Sequence, residues 1–127
     1  MQLPIATQDH VLNQEYLVIL PDRPNGLSTR LAQHAPHFEA AKPDVASGFF
    51  KVAGKIYEEP FVENEPHKIA GTFLIVRAPR REDVEKRLKE DLFYTEGVWK
   101  WEELQIYPCK STFAPGAQAQ TGGKNGL

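Results

Sequence analysis

The chain has one cysteine, Cys109, among its 127 residues. A lone thiol excludes an intramolecular disulfide framework and favours a reducing compartment. Long basic runs are missing and the net charge is −2, which argues against nucleic acid as a partner. No apolar stretch approaches the ~18–20 residues that span a bilayer, so no membrane partner is expected. Residues 1–14 are too polar for a signal peptide, and the ending Lys124-Asn125-Gly126-Leu127 is not a peroxisomal signal of the usual form. Gly-rich phosphate loops, nucleophile elbows and metal–thiolate clusters are also lacking. These absences point to a cytoplasmic protein that needs neither metal nor cofactor.

Hydrophobic residues make up 41% and charged residues 25%, which suits one globular domain around one core. Residues 1–14 read as a loose arm. Glu15 to Leu20 is rich in β-formers and reads as a buried strand, and Pro21 to Gly26 stops it with turn chemistry. Leu27, Leu31, Ala35, Phe38 and Ala41 recur at helical spacing and predict a helix over 27–42, kinked or restarted at Pro36 and ended by Pro43-Asp44 and Ser47-Gly48. A second strand follows from Phe49 to Tyr57, with Gly54 marking a bulge or a close approach. After an acidic loop come a third strand, Ile69 to Val76, a second helix over 80–93 opened by Pro79, and a fourth strand, Leu104 to Tyr107. From Ala114 the composition carries no apolar payload and predicts a disordered tail, which leaves residues 15–113 as the folded domain.

The order β-α-β-β-α-β is the ferredoxin-like signature: an α+β fold with a four-stranded antiparallel sheet and both helices on one face. Its strands carry Tyr, Val, Ile, Leu and Phe on both faces, so the second sheet face would be apolar. A copy of the same chain is the expected cover, which makes a homodimer the physical expectation.

Within the second helix, Val84, Leu88 and Leu92 mark one apolar stripe, and Asp91 stands at its edge, three residues after Leu88. A carboxylate partly removed from water needs a partner, and His37 on the first helix is a plausible one.

On these pieces the chain resembles the YCII-related family of the dimeric α/β-barrel superfamily. The resemblance covers roughly Tyr16 to Phe113. It rests on Tyr16-Leu17-Val18-Ile19, Arg30-Leu31 through His37-Phe38, Gly48 to Gly54, Asp91 with Glu96-Gly97-Val98-Trp99, and Gln105-Ile106-Tyr107-Pro108 with Lys110. The Ile-Tyr-Pro ending is similar to that of single-domain fungal members. The chain differs from the family habit at His34, where arginine is common, at Lys55, where proline follows the glycine, and at Leu92, where proline follows the aspartate. The resemblance implies a His–Asp acid/base dyad in a small pocket, falling on His37 and Asp91. One family branch is implicated in dehydrohalogenation of a chlorinated aromatic.

A carboxylate beside an imidazole fixes its tautomer, so the far nitrogen can take a proton at neutral pH. Such chemistry also needs a dry pocket and a donor for the developing oxyanion. Tyr94, Trp99, Phe50 and Tyr57 are candidate aromatic walls, and Lys51 or His34 a candidate anion holder. The expected activity is that of a cofactor-independent lyase or isomerase acting on a small phenolic, quinone or enolisable ketone, with a place in fungal secondary (polyketide) metabolism implied by the fungal likeness. The alternative is a non-catalytic dimeric module that binds a small ligand or only supports other proteins. Every candidate also has a plainer role. His37 can be a surface histidine, Asp91 can pair with Lys89 or Arg87, and Tyr94 and Trp99 can be packing residues. His34 and His37, spaced i,i+3, lack an obvious third metal ligand. Cys109 fits a core position better than a nucleophile.

Overall fold

A computed structural model describes residues 14–65 and 68–113. The expected arm over 1–13 and the expected tail over 114–127 lie outside the described residues. The elements in chain order are β1 (Glu15–Pro21), α1 (Leu27–Ala32), α2 (His34–Ser47), β2 (Phe50–Tyr57), β3 (Ile69–Arg77), α3 (Arg81–Leu88), α4 (Leu92–Thr95) and β4 (Gln105–Cys109). A 3-10 turn, Trp101–Glu103, precedes β4. The strands form one antiparallel sheet in the order β2-β3-β1-β4. This is the ferredoxin-like order, with each helix of the motif divided in two.

Strand register sorts the side chains. Val18 stands opposite both Leu74 and Ile106, and Leu20 stands opposite Thr72. Cross-strand partners share a face, so these residues lie together, buried with Phe50 and Val76 against Val84 and Leu88 of α3 and Phe93 of α4. The opposite face carries Leu17, Ile19, Phe73 and Ile75, also paired across strands and only half-buried in the single chain. Both sheet faces are apolar, as the unbroken runs of β-formers predict. Among the described residues no helix is long and apolar enough to cross a membrane.

The helices depart from expectation at both breaks. The first stops at Ala32 and restarts at His34, leaving Pro36 in the opening turn of α2. The ring of a helical proline clashes with the carbonyl four residues back, here that of Ala32, so the break falls ahead of Pro36. Pro43 does not end α2. The helix runs through it to Ser47 and closes on Gly48 at φ 86°, a left-handed position that glycine adopts without strain. The second helix is not continuous over 80–93. It ends at Leu88, and Asp91 adopts an extended backbone (φ −74°, ψ 143°) as the N-cap of α4, where Oδ1 accepts from the Phe93 N–H at 2.9 Å. Aspartate competes well for such N–H groups, so it starts a helix more readily than it continues one.

In β2 the bulge falls at Lys51, between Phe50 and Val52, not at Gly54. One extra residue inverts the facing of everything that follows. Phe50, Ala53 and Lys55 therefore share the helix side, opposite Val76, Leu74 and Thr72. Gly54 is instead a close approach: a Cβ there would overlap the Phe73 ring.

Glu15 ties the start of β1 to β2 and to the chain beyond β4. Its Oε1 accepts from the Ser111 hydroxyl at 2.5 Å, Lys51 Nζ at 3.1 Å and the Ser111 N–H at 3.2 Å. Burial alone would raise this carboxyl, but the hydrogen bonds and the Lys51 charge together hold it below its ordinary value of 4.5. A depressed folded pKa stabilises fully above the unfolded value and loses that contribution as pH falls through the folded one. Glu15→Gln should therefore lower the melting temperature at pH 7, with the difference shrinking as pH drops below 4.5. Melting temperature measured against pH for both proteins checks this.

Candidate active site

Helix α2 buries none of its residues. Its apolar stripe touches the core at Ala41 and otherwise stands off the sheet, bordering a cavity of about 500 Å³ between α2, β2, β3 and the α4 region. Phe38, Ala41 and Val45 of α2 line one side, Phe50, Ala53 and Leu74 the floor, and Phe93 and Trp99 the end. The volume suits a small ring compound. The ionisable groups on the wall are mostly cationic or basic, namely Arg30, His34, His37, Lys42 and Lys55, with Asp91 the acid among them.

His37 and Asp91 meet. His37 Nε2 lies 3.0 Å from Asp91 Oδ1 and 3.2 Å from Oδ2. The Asp91 side chain is 4% exposed and that of His37 is 23% exposed, so the carboxylate sits inside and the imidazole faces the opening. Two further contacts fix the geometry. The Phe93 N–H holds Asp91 Oδ1, and the Phe93 ring stacks on the imidazole at 3.7 Å between centroids, 3° from parallel. With a proton between Nε2 and the carboxylate, Nδ1 is left with the free lone pair, and among the described residues no hydrogen-bond partner occupies it.

A second polar unit adjoins the first through Phe93. Arg30 donates from Nε to Asp22 Oδ2 at 2.7 Å and from Nη2 to Oδ1 at 2.8 Å. Nη2 also reaches Thr72 Oγ1 at 2.7 Å, and Trp99 Nε1 donates to that same oxygen at 3.1 Å. The guanidinium lies 4.7 Å from the Phe93 ring centroid, and Trp99 meets that ring edge-on at 5.8 Å.

Of the other candidates, His34, Phe50 and Trp99 line the cavity. Tyr94, Tyr57 and Lys51 do not. Tyr94 packs edge-on against Trp101 at 4.9 Å. Tyr57 lies past a second register shift at the end of β2 and packs on Phe61. Lys51 occupies the bulge and is held by Glu15. Burial and the nearby Glu15 charge push the Cys109 thiol up, away from the reactive thiolate form.

Arg30, Thr72, Phe93 and Lys55 were not among the candidates. Two of them carried a signal. Thr72 alternates with Leu74 and Val76, so a hydroxyl falls on the core side of a strand, and Arg30 stands two helical turns before His37. Phe93 looked like any core aromatic, and Lys55 was disguised by the bulge.

The fold defines the class: a ferredoxin-like α+β domain with a cavity between helix and sheet. No family model matches the chain. Fusaric acid biosynthesis protein 2 of Gibberella fujikuroi is 35% identical over 98 residues, covering 77% of this chain and 94% of that protein. The chain belongs to the family of that protein. Aspercryptin biosynthesis cluster protein B of Emericella nidulans is 28% identical over 99 residues, 75% of this chain and 62% of that one. Among solved structures, the 5-chloro-2-hydroxyhydroquinone dehydrochlorinase of Burkholderia phenoliruptrix AC1100, in complex with 2,5-dihydroxybenzoquinone, superposes with a TM-score of 0.64 at 23% identity, covering 76% of this chain and 93% of that one. It shares the fold.

Proposed function

We propose that this protein is a cofactor-independent lyase or isomerase of fungal secondary metabolism, a YCII-related enzyme whose substrate is a small phenol, quinone or enolisable ketone. The observation that carries the reading is the His37–Asp91 pair, 3.0 Å apart on the wall of an apolar cavity. Two relatives named for secondary-metabolite biosynthesis and a fold neighbour named a dehydrochlorinase support it. His37 Nδ1 takes a proton from carbon or a ring hydroxyl while Asp91 holds Nε2–H and stabilises the imidazolium. In a lyase step the C–H electron pair forms the new double bond, and the leaving group departs with its bonding pair. In an isomerase step the imidazolium returns the proton to a second carbon. The Arg30 guanidinium is engaged by Asp22 and Thr72, whereas Lys55 makes no ion pair among the described residues and stands at the cavity wall, ready to attract an anionic ring. The test is ring-hydrogen exchange in D₂O, followed by proton NMR, on hydroxyquinones, halogenated hydroquinones and cyclic 1,3-diketones, comparing wild type with His37→Ala.

The same reading makes the protein a cytoplasmic homodimer joined through the half-buried sheet face of Leu17, Ile19, Phe73 and Ile75. Light scattering at micromolar concentration should give twice the chain mass, and Ile19→Glu should halve it. A monomeric wild type would sink this part of the proposal.

A further inference from the structure

Thr72 has an unusual hydrogen-bond balance. A threonine hydroxyl has two lone pairs and one hydrogen, while guanidinium and indole N–H groups only donate. Arg30 Nη2 and Trp99 Nε1 both donate to Thr72 Oγ1, at 2.7 and 3.1 Å, so both lone pairs are taken. The hydroxyl hydrogen must then find an acceptor in the one direction left. Thr72 is 7% exposed, yet no acceptor for that hydrogen stands among the described residues. What it does border is the cavity. Leaving a buried donor unmade is costly, so the arrangement suits a ligand that supplies the acceptor.

The donors also shape how Thr72 acts. Arg30 is cationic and aims two bonds at Asp22 and one at Thr72, which fixes its orientation. A cationic donor on a hydroxyl oxygen polarises the O–H and strengthens its own donation. The pattern is that of a preorganised donor facing a site where negative charge gathers. It shares the Phe93 ring with the His37–Asp91 pair, since that ring stacks on His37 and meets Trp99 edge-on. Base and donor therefore serve one cavity.

We propose that the Thr72 hydroxyl is the oxyanion donor of this cavity, giving its hydrogen to a carbonyl, phenolate or enolate oxygen of a small ring ligand. This deepens the functional reading above and rests on it for the ligand class. It predicts that recognition depends on a ring oxygen and not on ring shape alone.

The probe is 2,5-dihydroxybenzoquinone, with affinity read by calorimetry. Wild type should bind at submillimolar concentration, Thr72→Ser should bind within about threefold of it, and Thr72→Val should bind about 10- to 100-fold more weakly, the range for a hydrogen bond to a charged group. Thr72→Val also deprives Arg30 and Trp99 of an acceptor, so its folding is checked by circular dichroism. A wild-type crystal complex gives the reading independent of that variant: a ligand oxygen within hydrogen-bond distance of Thr72 Oγ1. The inference is overturned if wild type does not bind at millimolar concentration, if a folded Thr72→Val binds like wild type, or if no ligand oxygen reaches Thr72 in the complex. The Thr72→Val loss should persist in a His37→Ala background. Persistence together with unimpaired His37→Ala turnover would leave the Thr72 donor standing and remove the acid/base role of His37. The opposite pattern would remove only the donor.

Discussion

Arg30→Met is expected to lower the free energy of unfolding by about 3–5 kcal/mol, the range for removing one partner of a buried ion pair. Arg30 is 4% exposed, and its pairing with Asp22 is the two-point fork that a guanidinium makes with a carboxylate. The Asp22 side chain is 5% exposed, so without Arg30 its charge is stranded away from water. Thr72 would lose one of its two donors as well. Methionine replaces the stem and none of the bonds. Arg30→Lys should recover little, because one ammonium cannot serve two carboxylate oxygens and Thr72 at once. The double variant Asp22→Leu, Arg30→Met should regain much of the loss, since it removes the stranded charge along with its partner. Urea unfolding with comparable slopes measures all three. A loss below about 1 kcal/mol for Arg30→Met would mean that water reaches Asp22 and that the pair is not sealed.

The same pair shows where sequence reading stopped. Asp22 sits in Pro21-Asp22-Arg23-Pro24, where turn chemistry explains an aspartate without calling for a partner. Arg30 lay on a helix whose large apolar residues, Leu27 and Leu31, proved exposed. The strands were legible because alternation and β-formers act locally, and all four appear within a few residues of their expected bounds. Periodicity also found the cavity-facing stripe of α2, but a 3.6-residue repeat cannot distinguish a stripe that packs on a sheet from one that faces open space. The second helix failed at Asp91 for a related reason. Placing Asp91 at the edge of an apolar stripe rightly implied burial, yet the backbone there is a cap, and the Phe93 N–H, not the stripe, holds the carboxylate. Lys51 and Lys55 depended on one bulge, which no local pattern located, and which decided which of the two lysines reached the cavity.

His37→Ala should cut turnover by ~10²–10⁴-fold, the usual worth of a positioned general base, while the chain stays folded. Folding should survive because α2 is held by other contacts. The Arg87 guanidinium of α3 pairs with Asp44, and the α2 residue Ala41 packs on the core. Asp91→Asn is the sharper probe. Asparagine caps a helix about as well as aspartate, so its oxygen can keep the Phe93 N–H and α4 should remain. The amide nitrogen then faces His37 Nε2 and donates to it, which moves the imidazole proton to Nδ1. The nitrogen that should act as base is thereby blocked by its own proton, and the charge that stabilised the imidazolium is gone. Substrate contacts are left in place, so the defect should fall on kcat, with KM little changed. Steady-state rates for both variants on the ring substrate found by exchange NMR, with circular dichroism as the folding control, decide the matter. Wild-type turnover in His37→Ala would make the pair structural, a buried carboxylate capping α4 and pinning α2 across the cavity, and would move the search for the base to other residues of the cavity, His34 first.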